Sequence, residues 1–301
     1  EMQDIKNYLA GTGQAKFFGL SFLAAKQALN LFSQPVMLAL RFTLSAAALW
    51  LLVWLKILPI ALRNKPWKKL ILLSLIYPVL SFSLEAKGVS MIASSQAGAI
   101  MSLSPVFAMI LGILFLREKA TLFQISMVFL AAVGVILISL GNSSQNSGNI
   151  QGICIMLCCA FLVAVQITAV HRLSGEFSSL EITCVMNGTA AVCFDLYSII
   201  LFRNNLQEEF LIPLASGKGI LSIIYLGLGC SVGAFFCLNY INSHLDVVRA
   251  AVFINLSTII SVVAGVLLGG DRLTAAQVIG IIMILAGVWG VNAPQKPTHT
   301  H

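Results

Sequence analysis

The sequence contains few charged residues. Asp, Glu, Lys and Arg make up 10% of its 301 residues, whereas hydrophobic residues make up 58%. A soluble globular domain carries about 25% charged residues, because its surface must be solvated by water. This scarcity of charge excludes an ordinary soluble domain and indicates a protein whose surface lies largely in lipid.

Motifs for nucleotide and metal chemistry are also missing. The sequence contains no Walker A motif, no His-Glu-x-x-His pair and no paired catalytic aspartates. Gly11-Thr12-Gly13 is too short to form a phosphate-binding loop. We therefore expect a protein that is not an enzyme, that holds no cofactor and that does not draw energy from ATP.

The seven cysteines and the net charge of +7 point to no special chemistry. The cysteines all lie inside apolar stretches, so we interpret them as small packing residues and predict neither a disulfide framework nor a metal site. The basic residues lie mainly in loops and form no patch typical of nucleic-acid binding. In loops they attract anionic lipid and orient the chain, so the predicted partner is a bilayer and not nucleic acid.

The apolar stretches have about the length that an α-helix needs to cross a bilayer, and they lack the alternation of barrel strands. We predict an all-α, polytopic membrane protein with ten transmembrane helices. The approximate spans are 8–29, 35–55, 70–87, 95–116, 122–140, 150–170, 179–202, 219–241, 246–268 and 274–292.

The sequence is internally duplicated. Residues 97–135 align without a gap with residues 250–288, and the polar stretch 141–149 separates two groups of five predicted spans. We predict two five-helix repeats, at 8–140 and 150–292. Because five is an odd number, the second repeat must enter the membrane in the opposite orientation. Inverted repeats of this kind are typical of transporters with a binding site between the halves, near the bilayer midplane.

The distribution of Lys and Arg predicts the orientation of the chain. With the N-terminus inside, the inner loops hold eleven Lys and Arg residues and the outer loops and their edges hold five. This excess places both termini in the cytoplasm. We expect a multi-pass protein of the cell membrane, and in particular of a bacterial inner membrane, as a monomer or a homodimer.

Four segments resemble the EamA-type transporters of the drug/metabolite transporter superfamily. They are Ser102–Lys119 (SLSPVFAMILGILFLREK), the first-helix pattern at Gly19, Ser21, Phe22 and Lys26, the segment Leu40-Arg41-Phe42, and Gln277–Gly290 (QVIGIIMILAGVWG). The resemblance implies a central cavity lined by helices 1, 3, 4, 6, 8 and 9. It also implies two inverted five-helix repeats that move small organic solutes, often outward. The second repeat departs from the family pattern with Thr258 in place of proline, which predicts a straighter ninth helix and less symmetric gating.

The candidate substrate-binding residues are polar or aromatic side chains on the predicted cavity helices. Polar side chains beside a helix break can bind a solute, and they can equally form hydrogen bonds between helices. The Tyr77-Pro78 pair predicts an aromatic wall and a kink. The candidates are Gln14, Lys16, Phe18, Ser21, Tyr77, Ser81, Ser102, Gln166, Asn239, Tyr240 and Asn255.

The acids Glu85 and Asp195 are the candidates for proton coupling, because a carboxyl group inside hydrocarbon is costly and usually faces the interior. Glu85 can also be an interfacial acid, and Asp195 can pair with a neighbouring helix. Lys16 can snorkel to the membrane edge, and we interpret Arg41 as structural. The predicted function is secondary transport, driven by a gradient such as that of protons, of an amino acid or a related amphipathic solute. The alternatives are an uptake permease for a cationic or amine solute and a passive channel.

Overall fold

A computed structural model gives the fold of the chain. It describes the backbone of residues 2–62, 65–116, 121–140, 147–173, 175–205, 207–214, 216–244 and 247–291. Within these ranges, the side chains of residues 2–7, 112, 115–116, 139–140, 147–149, 171, 211–212, 242–244, 247–252 and 254–255 are not described.

The described chain is helical and contains no β-strand. The α-helices are α1 (Met2–Leu29), α2 (Gln34–Trp54), α3 (Lys68–Ser74), α4 (Ser81–Met91), α5 (Ser94–Met101), α6 (Ser104–Leu116), α7 (Leu122–Leu140), α8 (Ser147–Leu173), α9 (Ser179–Phe202), α10 (Ile212–Leu214), α11 (Gly217–Ile224), α12 (Phe235–His244), α13 (Val247–Leu267) and α14 (Ala275–Val291). Three π-helical segments, Leu75–Leu80, Gln207–Leu211 and Tyr225–Ala234, lie between them. The predicted all-α class is confirmed for these residues.

Six helical stretches are long and apolar enough to cross a membrane. They are Gln34–Trp54, Lys68–Met91, Ser94–Leu111, Ile150–Val170, Ser179–Phe202 and Gly217–Ile241. Shorter apolar helices cover Leu122–Ile138, Leu256–Leu267 and Ala275–Val291. Large apolar side chains are exposed on the outside of the bundle, including those of Leu72, Phe129 and Ile200. A lipid environment covers such a surface, whereas the count of ten crossings stays a prediction.

Glycines allow α7 and α14 to pack closely against each other. A Cβ atom at Gly134 would lie 2.6 Å from the carbonyl oxygen of Gly280, and a Cβ at Gly280 would lie 2.6 Å from that of Gly134. Contact between two backbones at this distance requires residues without side chains. The same packing continues at Gly287, where a Cβ would lie 2.6 Å from the carbonyl oxygen of Met127.

Ion pairs join loops and helix ends that the sequence places on one side of the membrane. At the predicted inner end, the ammonium of Lys65 lies 2.6 Å from the carboxylate of Glu181, and that of Lys69 lies 3.1 Å from Glu176. Glu181 also closes the N-terminus of α9 through a capping box with Ser178. Two of the lysines on which the predicted orientation rests thus also hold the N-terminal end of α9.

Two predicted helix irregularities are present. At Tyr77, φ and ψ are −141° and 114°, so the helical path is kinked between α3 and α4 as the Tyr77-Pro78 pair predicts. The α5 and α6 helices are separated at Ser102 and Leu103, just before Pro105. In the second repeat α13 continues without a break past Thr258, whereas the equivalent stretch of the first repeat is interrupted before Pro105.

Candidate functional site

A cavity of about 80 Å³ lies in the middle of the helix bundle. Its lining residues are Gln14, Phe18, Ser21, Phe22, Tyr77, Glu85, Gly98, Met101, Ser102, Ser104, Val163, Ile167, Leu238, Ser257 and Thr258. These residues come from α1, the kinked 75–91 region, α5 and the start of α6, α8, α12 and α13. They therefore belong to predicted spans 1, 3, 4, 6, 8 and 9, which are the helices that the resemblance implies.

The lining serines offer hydrogen-bond acceptors to the cavity. Ser21, Ser102 and Ser104 each donate their hydroxyl hydrogen, at 2.7 Å, to the carbonyl oxygen three residues earlier in the chain. A hydroxyl has one hydrogen and two lone pairs, so these three groups keep lone pairs for a ligand. The helix breaks at Tyr77 and at Ser102–Leu103 lie on the same cavity, as in transporters that bind solute at interrupted helices.

Glu85 brings a carboxyl group to the cavity. Its side chain is buried, and it forms neither a hydrogen bond nor an ion pair with the described part of the chain. Gln14 lies on the same lining, and its buried Oε1 has no hydrogen-bond partner among the described residues. A buried acceptor without a donor is costly, by about 1–3 kcal/mol. Both residues therefore favour a ligand that donates hydrogen bonds.

Aromatic rings form one wall of the cavity. The Tyr77 ring lies 5.5 Å from that of Phe82 and 5.4 Å from that of Phe235, centroid to centroid. The Phe18 ring lies 6.3 Å from the same Phe235 ring. These separations are in the range of favourable edge-to-face contacts. The predicted aromatic wall at Tyr77 is thus present, and it faces the cavity through Phe18, Phe22 and Tyr77.

Arg41 lies behind this wall and not on the cavity. It is fully buried, its Nε donates a hydrogen bond of 2.8 Å to Ser231 Oγ, and its guanidinium lies 4.4 Å from the centre of the Phe82 ring. This arrangement supports the structural role that we predict for it. Ser231 belongs to the sequence Gly229-Cys230-Ser231-Val232-Gly233, a Gly-x-Ser-x-Gly pattern. The pattern lies inside the π-helical segment Tyr225–Ala234, not at the strand-to-helix turn that makes such a serine a nucleophile.

Several predicted binding residues are buried near the cavity without lining it. Ser81 Oγ forms a hydrogen bond of 3.3 Å with the thiol of Cys159. The side-chain amide of Asn239 donates a hydrogen bond of 2.8 Å to Thr183 Oγ1. Both amide atoms of Gln166 are buried without a hydrogen-bond partner among the described residues, although neighbours on α8 line the cavity. Tyr240 is only half-buried, and its ring lies 6.3 Å from that of the exposed Phe236.

The remaining predicted residues lie farther out. Lys16 is exposed and does not line the cavity, as expected for a snorkelling lysine. Asp195 accepts a hydrogen bond of 2.7 Å from Thr43 at the contact of α9 with α2. Leu196 and Tyr197 beside it are more than half exposed, so Asp195 lies at the periphery of the bundle. Asn255 is on α13, and its side chain is outside the described residues.

The duplication contains a signal that points to lining residues beyond the predicted set. Ser104 and Ser257 occupy equivalent positions in the two repeats, and both line the cavity together with Thr258. The pair could have been identified from the alignment alone. The apolar lining residues, such as Met101, Val163 and Leu238, resemble any other core residue in the sequence. In the part of the chain that the structure describes, no three His, Cys, Asp or Glu side chains cluster as a metal site would require.

Known proteins resemble the chain over nearly its whole length. The EamA-like transporter family matches residues 6–140 and again residues 150–293. An uncharacterized transporter, YcxC, of Bacillus subtilis (strain 168) is 29% identical over 294 residues, which cover 96% of this chain and 94% of that protein. An uncharacterized transporter of Archaeoglobus fulgidus is 24% identical over 91% of this chain and 94% of its own. Protein PagO of Salmonella typhimurium (strain LT2) is 24% identical over a stretch that covers 90% of this chain and 88% of that protein.

The fold is also similar to a solved structure, titled only "Crystal structure of protein". The two superpose with a TM-score of 0.66 over 94% of each chain, at 17% sequence identity. At this identity the likeness establishes a shared fold and carries nothing about the solute.

Proposed function

The chain belongs to the EamA-like transporter family, and we propose that it is a secondary transporter that moves a small ammonium-bearing metabolite by alternating access. Transport as such follows from the family and from the relatives named as transporters. The solute, the direction and the mechanism are the proposal. In this proposal the protein lies in a bacterial inner membrane with both termini in the cytoplasm.

The observation that carries the proposal is a small set of acceptor groups, including one carboxyl, on an otherwise apolar cavity lining. Glu85 is the charged side chain among the described lining residues, and the serines and Gln14 add acceptors around it. An ammonium group donates up to three hydrogen bonds and carries the opposite charge to Glu85. The ring of Tyr77 adds a face that attracts cations. An anion without an ammonium group would find no opposite charge on this lining.

Amino acids are the first candidate solutes. The ammonium group would contact Glu85, and the carboxylate would accept a hydrogen bond from the amide of Gln14 on the same lining. The cavity volume of about 80 Å³ is below the 300–1,000 Å³ of typical ligand pockets. We therefore infer that the cavity widens when an amino acid enters. Export is the direction that the family resemblance favours.

Uptake of a small amine is the second candidate. It is favoured by the lining itself, since no Lys or Arg lines the described cavity to receive a carboxylate. A simple amine also fits a small cavity better than most amino acids do. The two candidates share the ammonium group and differ in the need for a carboxylate.

Proton coupling at Glu85 completes the proposed mechanism. A carboxylate that binds either a proton or the cargo ammonium exchanges one for the other, because both cannot occupy it at once. Two inverted repeats would then expose this residue to each side in turn. The separate family matches before and after residues 141–149 support the two-repeat arrangement.

A flux assay in proteoliposomes tests the function. Purified protein would be reconstituted and supplied with labelled amino acids, and in parallel with the matching amines that lack the carboxylate. We expect accelerated flux of at least one ammonium-bearing solute over protein-free liposomes, and no flux of the matching acids that lack the amine. Flux of acids without amines, or ion conductance in place of saturable flux, would contradict the proposal and favour an anion carrier or a channel.

A further inference from the structure

A buried carboxylate ties the start of α5 to the loop that follows α13. Asp271 Oδ2 accepts hydrogen bonds from the backbone N–H of Ser95 at 3.0 Å, from Ser95 Oγ at 2.9 Å and from Ser94 Oγ at 3.0 Å. Its side chain is 6% exposed. Three hydrogen bonds to one charged oxygen make a strong local contact, because each is charge-assisted.

Lys26, at the end of α1, completes this cluster. Its Nζ lies 3.8 Å from Asp271 Oδ1 and donates a hydrogen bond of 3.0 Å to the carbonyl oxygen of Ile92. We call Lys26, Ser94, Ser95 and Asp271 the α1–α5–α13 cluster. Lys26 and the serines belong to the first predicted repeat and Asp271 to the second, so the cluster holds the two repeats together.

The cluster lies directly beyond the cavity along the helices that line it. On α1, Lys26 follows the lining residue Phe22 by four residues, and on α5, Ser94 precedes the lining residue Gly98 by four. At 1.5 Å per residue, four residues correspond to about 6 Å along the helix axis. On the third helix, α13 continues from the lining residue Thr258 toward Asp271.

The layer between the cavity and the cluster is closely packed. A Cβ atom at Gly98 would overlap Ser261 Oγ, and one at Gly265 would lie 2.6 Å from Asp271 Oδ2 and 2.9 Å from the backbone nitrogen of Ser95. Ala97 and Ser261 in this layer are buried. A solute has no room to pass between α5 and α13 while this packing persists.

We propose that the α1–α5–α13 cluster is the gate on the predicted outer side of the cavity, and that it must break each time the cavity opens to that side. The inference rests on the proposed function, since a gate has meaning in a protein that exposes its cavity alternately. Beyond that function, the inference names the specific contact that opposes opening of the cavity to the outer side. Removing the charge of Asp271 lowers the cost of separating α5 from α13.

Thiol accessibility tests the gate without any knowledge of the solute. Ser102 lines the cavity and is buried, so Ser102→Cys places a thiol there. A membrane-impermeant methanethiosulfonate would be added to intact cells, and separately to inside-out vesicles, in chains with and without Asp271→Asn. The same chains with Ser102 retained measure the reaction of the native cysteines.

Asp271→Asn is expected to raise the rate at which the introduced thiol of Ser102→Cys is modified from outside by about tenfold, the population shift that follows the loss of a charge-assisted hydrogen bond. Lys26→Met should also raise this rate, because it removes the positive charge that lies 3.8 Å from Asp271 Oδ1. Glu176→Gln removes the exposed partner of Lys69 at the predicted inner end, and it should leave the modification rate from outside unchanged. Size-exclusion chromatography would establish that each variant is folded, and Lys26→Met replaces Asp271→Asn if the latter is not.

Equal outside rates in the parent and in the folded gate variants would overturn the gate, as would an increase seen from the inside alone. This result leaves the proposed function intact where solute flux persists. The opposite combination of results, in which the gate variants react faster but no solute flux is seen, also separates the two proposals. A raised outside rate without flux of any ammonium-bearing solute would support the gate and contradict the proposed solute.

Discussion

Glu85 and Asp195 are both acids within apolar helices, and because their surroundings differ we propose different roles for them. Glu85 lines the cavity and has no described partner, whereas Asp195 accepts a hydrogen bond from Thr43 at the bundle periphery. A carboxylate that exchanges a proton for cargo must be reached by the cargo. At the scale of single residues, the position relative to the cavity therefore matters more than depth in the membrane.

Glu85→Gln is expected to reduce solute flux driven by a pH gradient by about tenfold or more, because an amide carries no charge to pair with the ammonium. Asp195→Asn should keep flux within about twofold of the parent, since an amide oxygen still accepts from Thr43. Initial rates in proteoliposomes at matched protein density measure both. Equal losses in the two variants would contradict the different roles assigned to these acids.

Gln166→Leu is expected to raise the melting temperature of the purified protein. The amide of Gln166 is fully buried without a described partner, and such a group costs about 1–3 kcal/mol. Asn239→Leu is the contrasting variant and should lower the melting temperature, because it removes the donor to Thr183 Oγ1. Differential scanning fluorimetry in one detergent compares them. A melting temperature for Gln166→Leu below that of the parent would mean that the amide has a stabilising role.

Glycine contacts determine how closely whole helices approach. The α7 and α14 helices meet at Gly134 and Gly280, where either Cβ atom would lie 2.6 Å from a backbone oxygen of the other helix. A backbone oxygen cannot turn away as a flexible side chain can. The spacing of these two helices therefore depends on both glycines, and a methyl group at either position forces them apart.

Gly134→Ala is expected to destabilise the protein by about 1–3 kcal/mol, the usual cost of overpacking a close contact. Gly280→Ala should have a similar effect, since its Cβ meets the equivalent oxygen. Gly175→Ala is the matched control, because a Cβ there has nothing within 4 Å. Thermal unfolding of the three variants gives the comparison. An unchanged melting temperature for Gly134→Ala would show that α7 and α14 do not pack this tightly.

At the scale of the whole molecule, the two ends of the bundle are joined by different contacts. The ion pairs Lys65–Glu181 and Lys69–Glu176 join the loops at the predicted inner end. The ion pair Lys26–Asp271 joins the end of α1 to the loop after α13 at the predicted outer end. The grouping agrees with the sides that the positive-inside rule predicts for these loops. It supports an arrangement in which the second repeat is inverted relative to the first.

Single cysteines test this arrangement directly. In intact cells an impermeant thiol reagent should modify Ser144→Cys in the linker between the repeats, whereas Pro66→Cys should react after the membrane is permeabilised. The prediction follows because an odd number of crossings places the linker opposite the N-terminus. The parent chain supplies the background of the native cysteines. Modification of both positions from the same side would contradict inverted repeats.

Sequence reasoning predicted part of the cavity lining and missed another part for a definite reason. Gln14, Phe18, Ser21, Tyr77, Ser102 and Glu85 line the cavity as candidates, and the six helices that line it were those expected. Lys16 and Asp195 share the same polar character but lie on other faces. Successive residues on a helix point about 100° apart, so the rotation of each helix decides which of them reaches the cavity.

The composition, the length and the duplication of the apolar stretches can be recognised without any tertiary contact, so they already indicate a helical membrane protein with related halves. Burial in lipid forces the backbone to satisfy its hydrogen bonds within helices, and this needs no knowledge of neighbours. The contacts between distant segments are different. Asp271 meets Ser95, and Arg41 meets Ser231, because helices far apart in the chain pack side by side. Such contacts depend on the relative position and rotation of whole helices, which the folded structure establishes.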